Sequence, residues 1–123
     1  MADEVHNLTR SFPKEEMFSL SSQMKRAADL ISLNIAEGST GQSDPEQLRF
    51  LGYSLRSGLE VVNCLYLALP RNYINQQQFD KFYSELERLT IKIQAFKKSH
   101  KKYRNQLSSV VCRQWSIKHE TDP

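Results

Sequence analysis

Three histidines, two cysteines, a scatter of carboxylates and a crowd of lysines are the residues of this 123-residue chain whose side chains could do chemistry. Metal binding is the first reading to fall. His6, His100 and His119 lie in separate segments, and none has a second histidine or cysteine three or four residues on, the spacing that would place two ligands on one helix face. Cys64 sits inside a helical pattern and Cys112 lies near the C-terminus, so the pair fits neither a disulfide framework nor a zinc spacing, and both read as free thiols. Asp29, Glu37 and Glu60 could be imagined as paired carboxylates for hydrolysis. No second motif accompanies them, and charged residues on helices are ordinarily solvated or structural. There is no glycine-rich phosphate loop and no serine in a nucleophile-elbow setting. No catalytic residue, metal or cofactor is therefore assigned.

The basic residues are different, because their distribution is lopsided. The formal net charge is only +3. Residues 92–123 nevertheless carry 8 Lys+Arg against 2 Asp+Glu, while the rest of the chain carries 9 against 12. Lys92, Lys97, Lys98, Lys101, Lys102 and Arg104 crowd one helix end, with His100 and Tyr103 interleaved. A single-sign field of this kind suits an anionic partner: the cations neutralise phosphates, and Tyr103, or Trp115 beyond it, stacks on an unpaired base. The competing reading is a solvated helix end on which Tyr103 merely continues a packing seam.

These residues must be held by helices. Four glycines and four prolines leave little turn material, and no β-branched run alternates with polar residues, so the class is all-α. Val5, Leu8 and Phe12 predict a short first helix, broken at Phe12-Pro13 because proline disfavours helical geometry in the residue before it. Met24, Ala27, Ala28, Ile31 and Ile35 place one apolar face on a second helix that stops at Gly38, where glycine can take the left-handed closing conformation. Asp44-Pro45-Glu46-Gln47 reads as a helix start, with Asp44 as cap and Gln47 completing a capping box. The helix that follows carries two apolar bands. Leu48, Leu51, Leu55, Leu59, Val62, Leu65 and Leu69 form one, and Phe50, Tyr53, Val61, Cys64 and Ala68 form the other. So much apolar surface asks for burial on two sides, which points to a neighbouring subunit as well as the helix's own core. After Pro70, Asn75 and Gln78 offer a second capping pair. Phe79, Phe82, Leu86, Leu89, Ile93 and Phe96 then alternate by three and four like a bundle seam, an alternation that can run on through His100, Tyr103, Leu107 and Val110.

Short connections between long helices imply antiparallel neighbours. The expected architecture is an up-down-up-down four-helix bundle over residues 1–104 with a short first helix, followed by a basic C-terminal extension or tail over 105–123. Within it, Asn34 reads as a lone amide that fixes helix register by needing a specific partner. Glu37 faces the negative end of its helix dipole and should pair with a cation across a helix or subunit boundary. The longest wholly apolar run, Cys64 to Leu69, is far short of a membrane span, and the N-terminus lacks the pattern of a signal peptide, so a cytoplasmic protein is expected.

Phe12-Pro13-Lys14-Glu15-Glu16, then Ser22-Gln23-Met24-Lys25-Arg26-Ala27-Ala28, then Asn34-Ile35-Ala36-Glu37-Gly38 resemble the bacterial four-helix-bundle family of 23S rRNA intervening-sequence proteins. The likeness continues in Phe50-Leu51, Leu55, Ser57, Glu60, Leu65, Leu69 and Tyr73, and covers roughly residues 5 to 98. Arg56 departs from a common glycine and Val62 from a common glutamate. The resemblance implies a small bundle that assembles as a cyclic homo-oligomer, typically a pentamer. A looser analogy is to the accessory variability determinant of diversity-generating retroelements, which is similar in fold, binds nucleic acid and associates with a reverse transcriptase. The partners expected are thus further copies of the chain through Asn34, Glu37, Gly38, Phe50, Tyr53 and Val61, and RNA or DNA at the basic end. The alternative is a scaffold for another protein such as a reverse transcriptase.

Overall fold

The middle of the chain forms the helix around which the others pack. In a computed structural model that describes residues 1–40 and 43–99, that helix is α3 (Asp44–Ala68), flanked by α2 (Leu20–Gly38) and α4 (Gln76–Lys98). A short α1 (Ala2–Thr9) packs on α2, and a single 3-10 turn, Lys14–Glu16, links the two. No strand occurs among the described residues, and none of the described helices is long and apolar enough to cross a membrane. The fold is the expected all-helical bundle with a short first helix.

The first apolar band of α3 and the Val61, Cys64 and Ala68 part of the second are consumed inside the subunit. Val61, Leu65 and Ala68 are fully buried and Cys64 nearly so, in one cluster with Val5, Leu8 and Phe12 from the N-terminal segment, Met24, Ala27 and Ile31 from α2, and Phe79, Phe82 and Leu86 from α4. This corrects the expectation that Val61 faces a second copy of the chain. Toward the other end a smaller cluster joins Leu51 and Leu55 to Ile93.

Local chemistry sets the helix ends. At α4 the Asn75 side chain accepts from the Gln78 amide at 2.7 Å while the Gln78 side chain accepts from the Asn75 amide at 2.9 Å, so the predicted capping box forms. At α3 the cap position falls on Ser43 rather than Asp44, with no side-chain cap bond, and Pro45 occupies the first turn. Between α3 and α4, Asn72 takes the left-handed conformation (φ 62°), which asparagine tolerates better than most residues. The N-terminal segment is pinned to this connection: the Phe12 and Tyr73 rings lie 5.4 Å apart, the Tyr73 hydroxyl donates to Glu16 at 3.1 Å, and Arg71 approaches the same carboxylate at 3.6 Å. The Ser19 hydroxyl foremost, with these two groups and the Leu20 amide, holds the Glu16 carboxyl below its usual range.

Gly38 works differently from the expectation. It is the last residue of α2, and Ser39, not a left-handed glycine, closes the helix. A Cβ on Gly38 would stand 3.1 Å from the Phe50 Cβ and 3.4 Å from the Gln47 carbonyl, so the bare glycine is what lets α2 and α3 approach there. A Cβ on Gly58 would instead rest 4.0 Å from Ile31 and Leu86, in ordinary contact. Gly38→Ala is therefore expected to destabilise by about 1–3 kcal/mol through forced separation of the helices. Gly58→Ala is expected to gain up to about 1 kcal/mol from helix propensity. Denaturant unfolding of the two variants checks the opposite signs.

Candidate functional site

The basic end of the chain begins on the last turns of α4. Lys92 and Lys98 are exposed there, and cations in a last turn also suit the negative end of the helix dipole. Lys97 is not on that surface. It is 1 % exposed, four residues beyond buried Ile93, and so continues the core-facing row that the strict three-and-four alternation assigned to Phe96. Phe96 is turned to 47 % exposure instead. Apolar patterning passes over a lysine in this register because only its four-carbon stem suits the interior. The remaining residues expected to bind nucleic acid, Lys101, Lys102, Tyr103 and Arg104, lie outside the described residues, as do His100, Cys112 and Trp115.

The three residues singled out in the second helix separate. Asn34 is half-buried, and its amide nitrogen donates to the Leu30 carbonyl at 2.8 Å within its own helix, with no bond to another element among the described residues. The bond that spans helices comes from Ser54. Its hydroxyl, in a residue 1 % exposed, donates across to the Ile31 carbonyl of α2 at 2.8 Å. Ser54 belongs to neither apolar band, and only its position on the buried side of α3 gives it a role. Glu37 is exposed, and its carboxylate makes no ion pair or hydrogen bond among the described residues, so the cation expected across a helix boundary is not found there. Its backbone carbonyl accepts from the Thr40 hydroxyl at 2.8 Å as the helix unwinds.

Phe50 is half-buried and Tyr53 is exposed, with their rings edge-to-face at 5.7 Å and the Arg56 guanidinium 5.9 Å from the Tyr53 ring centre. Tyr53 and Arg56 border a hollow of about 430 Å³ along α3, together with Pro45, Glu46, Leu48, Arg49 and Gly52. Because α2, α3 and α4 alternate in direction, the C-terminal ends of α2 and α4 lie beside the N-terminal end of α3. Exposed Leu33 and Ile35 on α2, Tyr53 on α3 and Ile91 on α4 thus emerge at one end of the bundle, the end that also carries Lys92 and Lys98.

Among the described residues no group of three His, Cys, Asp or Glu is placed to hold a metal ion. The Cys64 thiol is buried, and loss of solvent, with Glu60 nearby, pushes it up to about 11, so it is a thiol and not a nucleophilic thiolate at neutral pH. One titratable pair escaped sequence reasoning: the His6 ring nitrogen lies 3.1 Å from Asp29 Oδ1 and 3.2 Å from Oδ2. The two residues are 23 positions apart, and only the packing of α1 on α2 brings them together.

A family model described as 23S rRNA-intervening sequence protein matches residues 1–95. No sequence among curated proteins matches the chain.

Proposed function

Because the chain belongs to the 23S rRNA-intervening sequence protein family, which is not a family of known enzymes, we propose that it is a non-enzymatic bundle that assembles with copies of itself and binds RNA or DNA through its basic C-terminal end. The observation that carries this reading is the coincidence at one end of the molecule of exposed Leu33, Tyr53 and Ile91 with exposed Lys92 and Lys98. Apolar side chains on the outer faces of three helices gain by being covered, and a symmetric assembly covers them with the same surface of a second subunit. In such an assembly, with five subunits in the form the family resemblance implies, every lysine is repeated. A modest charge on one subunit then becomes a ring of positive potential. Lys101, Lys102 and Arg104 follow directly in the sequence and carry three more positive charges per subunit.

Contacts of this type are made to phosphates and read no sequence. Affinity is accordingly expected to be similar for unrelated single strands and to fall by about 10³-fold or more between 50 and 200 mM salt. A titration of labelled single-stranded and structured RNA at the two salt concentrations tests this; absence of a complex at the lower one removes the nucleic-acid reading. If instead a polypeptide partner binds with little salt dependence, the protein is an accessory scaffold, such as one for a reverse transcriptase.

A further inference from the structure

At the opposite end of the bundle the elbow between α1 and α2 encloses a cleft of about 410 Å³. Its polar lining comes from Arg10 at the end of α1, Lys14 in the 3-10 turn, and Ser21 and Lys25 in the first turns of α2, with Thr9 and His6 along one wall. We propose that this cleft is a binding site for the terminal phosphate of a nucleotide or of a single-stranded oligonucleotide.

Charge is the first support. Arg10, Lys14 and Lys25 make no ion pair among the described residues, although on the same molecule Arg71 pairs with Glu16 at 3.6 Å and Lys81 with Glu4 at 3.2 Å. Lys25 is half-buried along the cleft and gains no anionic protein partner among the described residues. None of the described lining residues is a carboxylate, and the lining residue His6 is itself engaged with Asp29. An unmatched guanidinium and two unmatched ammonium groups around one hollow suit a dianion.

The second support is Ser21. It is 4 % exposed and lines the cleft, yet its hydroxyl has no hydrogen-bond partner among the described residues. Its oxygen reaches solvent in the cleft, where a ligand can meet it. The Thr9 hydroxyl donates to the His6 carbonyl at 3.0 Å and keeps lone pairs only, whereas the Ser21 O–H is free to donate to a phosphate oxygen.

Charge density selects the terminal group. The cleft is half open to solvent, and three cations around one hollow suit a dianionic end better than the singly charged diesters of a passing strand. The hollow also exceeds a bare phosphate, and Pro13 and Met17 supply apolar lining for the attached nucleoside. This site is separate from the lysines of α4, so either can fail without the other.

The test uses the full chain, with a short RNA carrying a 5′-phosphate, the same RNA with a 5′-hydroxyl, the same RNA carrying a 3′-phosphate, a nucleoside monophosphate and inorganic phosphate as probes. A terminal phosphate is expected to tighten binding by about tenfold or more over the hydroxyl-ended strand. Arg10→Gln with Lys25→Gln should abolish that gain while leaving the affinity for the hydroxyl-ended strand, and the thermal unfolding transition, unchanged. Ser21→Ala, which removes no protein hydrogen bond, should weaken it several-fold. Gain from the monophosphate alone would identify a mononucleotide ligand, and gain only from the strands an oligonucleotide end. Equal affinity for phosphate-ended and hydroxyl-ended strands, with no response to the monophosphate, overturns the proposal. So does a terminal-phosphate gain that survives Arg10→Gln with Lys25→Gln.

Discussion

Val61→Asp is expected to unfold the protein and not merely to separate its copies. Val61 is fully buried in the cluster that joins all four helices, with Val62, Cys64 and Leu65 around it on α3. Nothing among those neighbours can pair with a carboxylate, so the variant must either hold an unmatched charge in the core or protonate it. Together with the loss of apolar packing, the cost is about 4 kcal/mol or more. A domain of this size has about 5–15 kcal/mol in all. Far-UV circular dichroism should show the helical signal lost or the midpoint sharply lowered. Tyr53→Asp is the contrast. That side chain is 38 % exposed and outside both core clusters, so its replacement should shift stability by no more than about 1 kcal/mol while weakening the association of copies. A Val61→Asp protein that stayed folded and became monomeric would restore Val61 to the surface between subunits.

Replacing Lys92, Lys98, Lys101, Lys102 and Arg104 by glutamine together should lower nucleic-acid affinity at 50 mM salt by at least about 100-fold and flatten its salt dependence. The slope of log affinity against log salt should drop by about 0.7 for each single-strand phosphate that is no longer neutralised. Lys97 is left out because it is buried, and changing it would confuse removal of charge with disruption of packing. Since Lys92 and Lys98 are exposed, their removal should leave the unfolding transition in place. Unaltered affinity in the five-residue variant would place the nucleic-acid surface elsewhere on the molecule.

Much of the architecture could be read from the residues because it rests on local rules. The stripe through Phe79, Phe82, Leu86 and Ile93 and the Asn75–Gln78 box each depend on neighbours a few positions away. The failures share a physical cause. Periodicity measures how much apolar surface a helix carries, not what covers it, so the second band on α3 could not reveal that the short α1 and the Phe12 turn complete the core around Val61. The drift of 3.6 residues per turn against a strict three-and-four alternation moved the end of the α4 row from Phe96 to Lys97. At Gly38 the glycine was conspicuous, but its reason, the 3.1 Å approach of Phe50, belongs to a residue on the next helix. The Ser54 bond to α2, the His6–Asp29 pair and the cleft at the α1–α2 elbow are likewise long-range products of packing, and no spacing in the chain announces them.

Assembly is the point on which the functional account turns, since without it the lysines of α4 are a sparse charge and Leu33, Tyr53 and Ile91 stay wet. Native mass spectrometry of the full chain at low micromolar concentration measures this directly. The account predicts a discrete multiple of the 14.3 kDa subunit, five subunits in the form the family resemblance implies, that splits into single subunits in Tyr53→Asp with Ile91→Asp. A lone 14.3 kDa species that is folded, soluble and unchanged by those substitutions would contradict it.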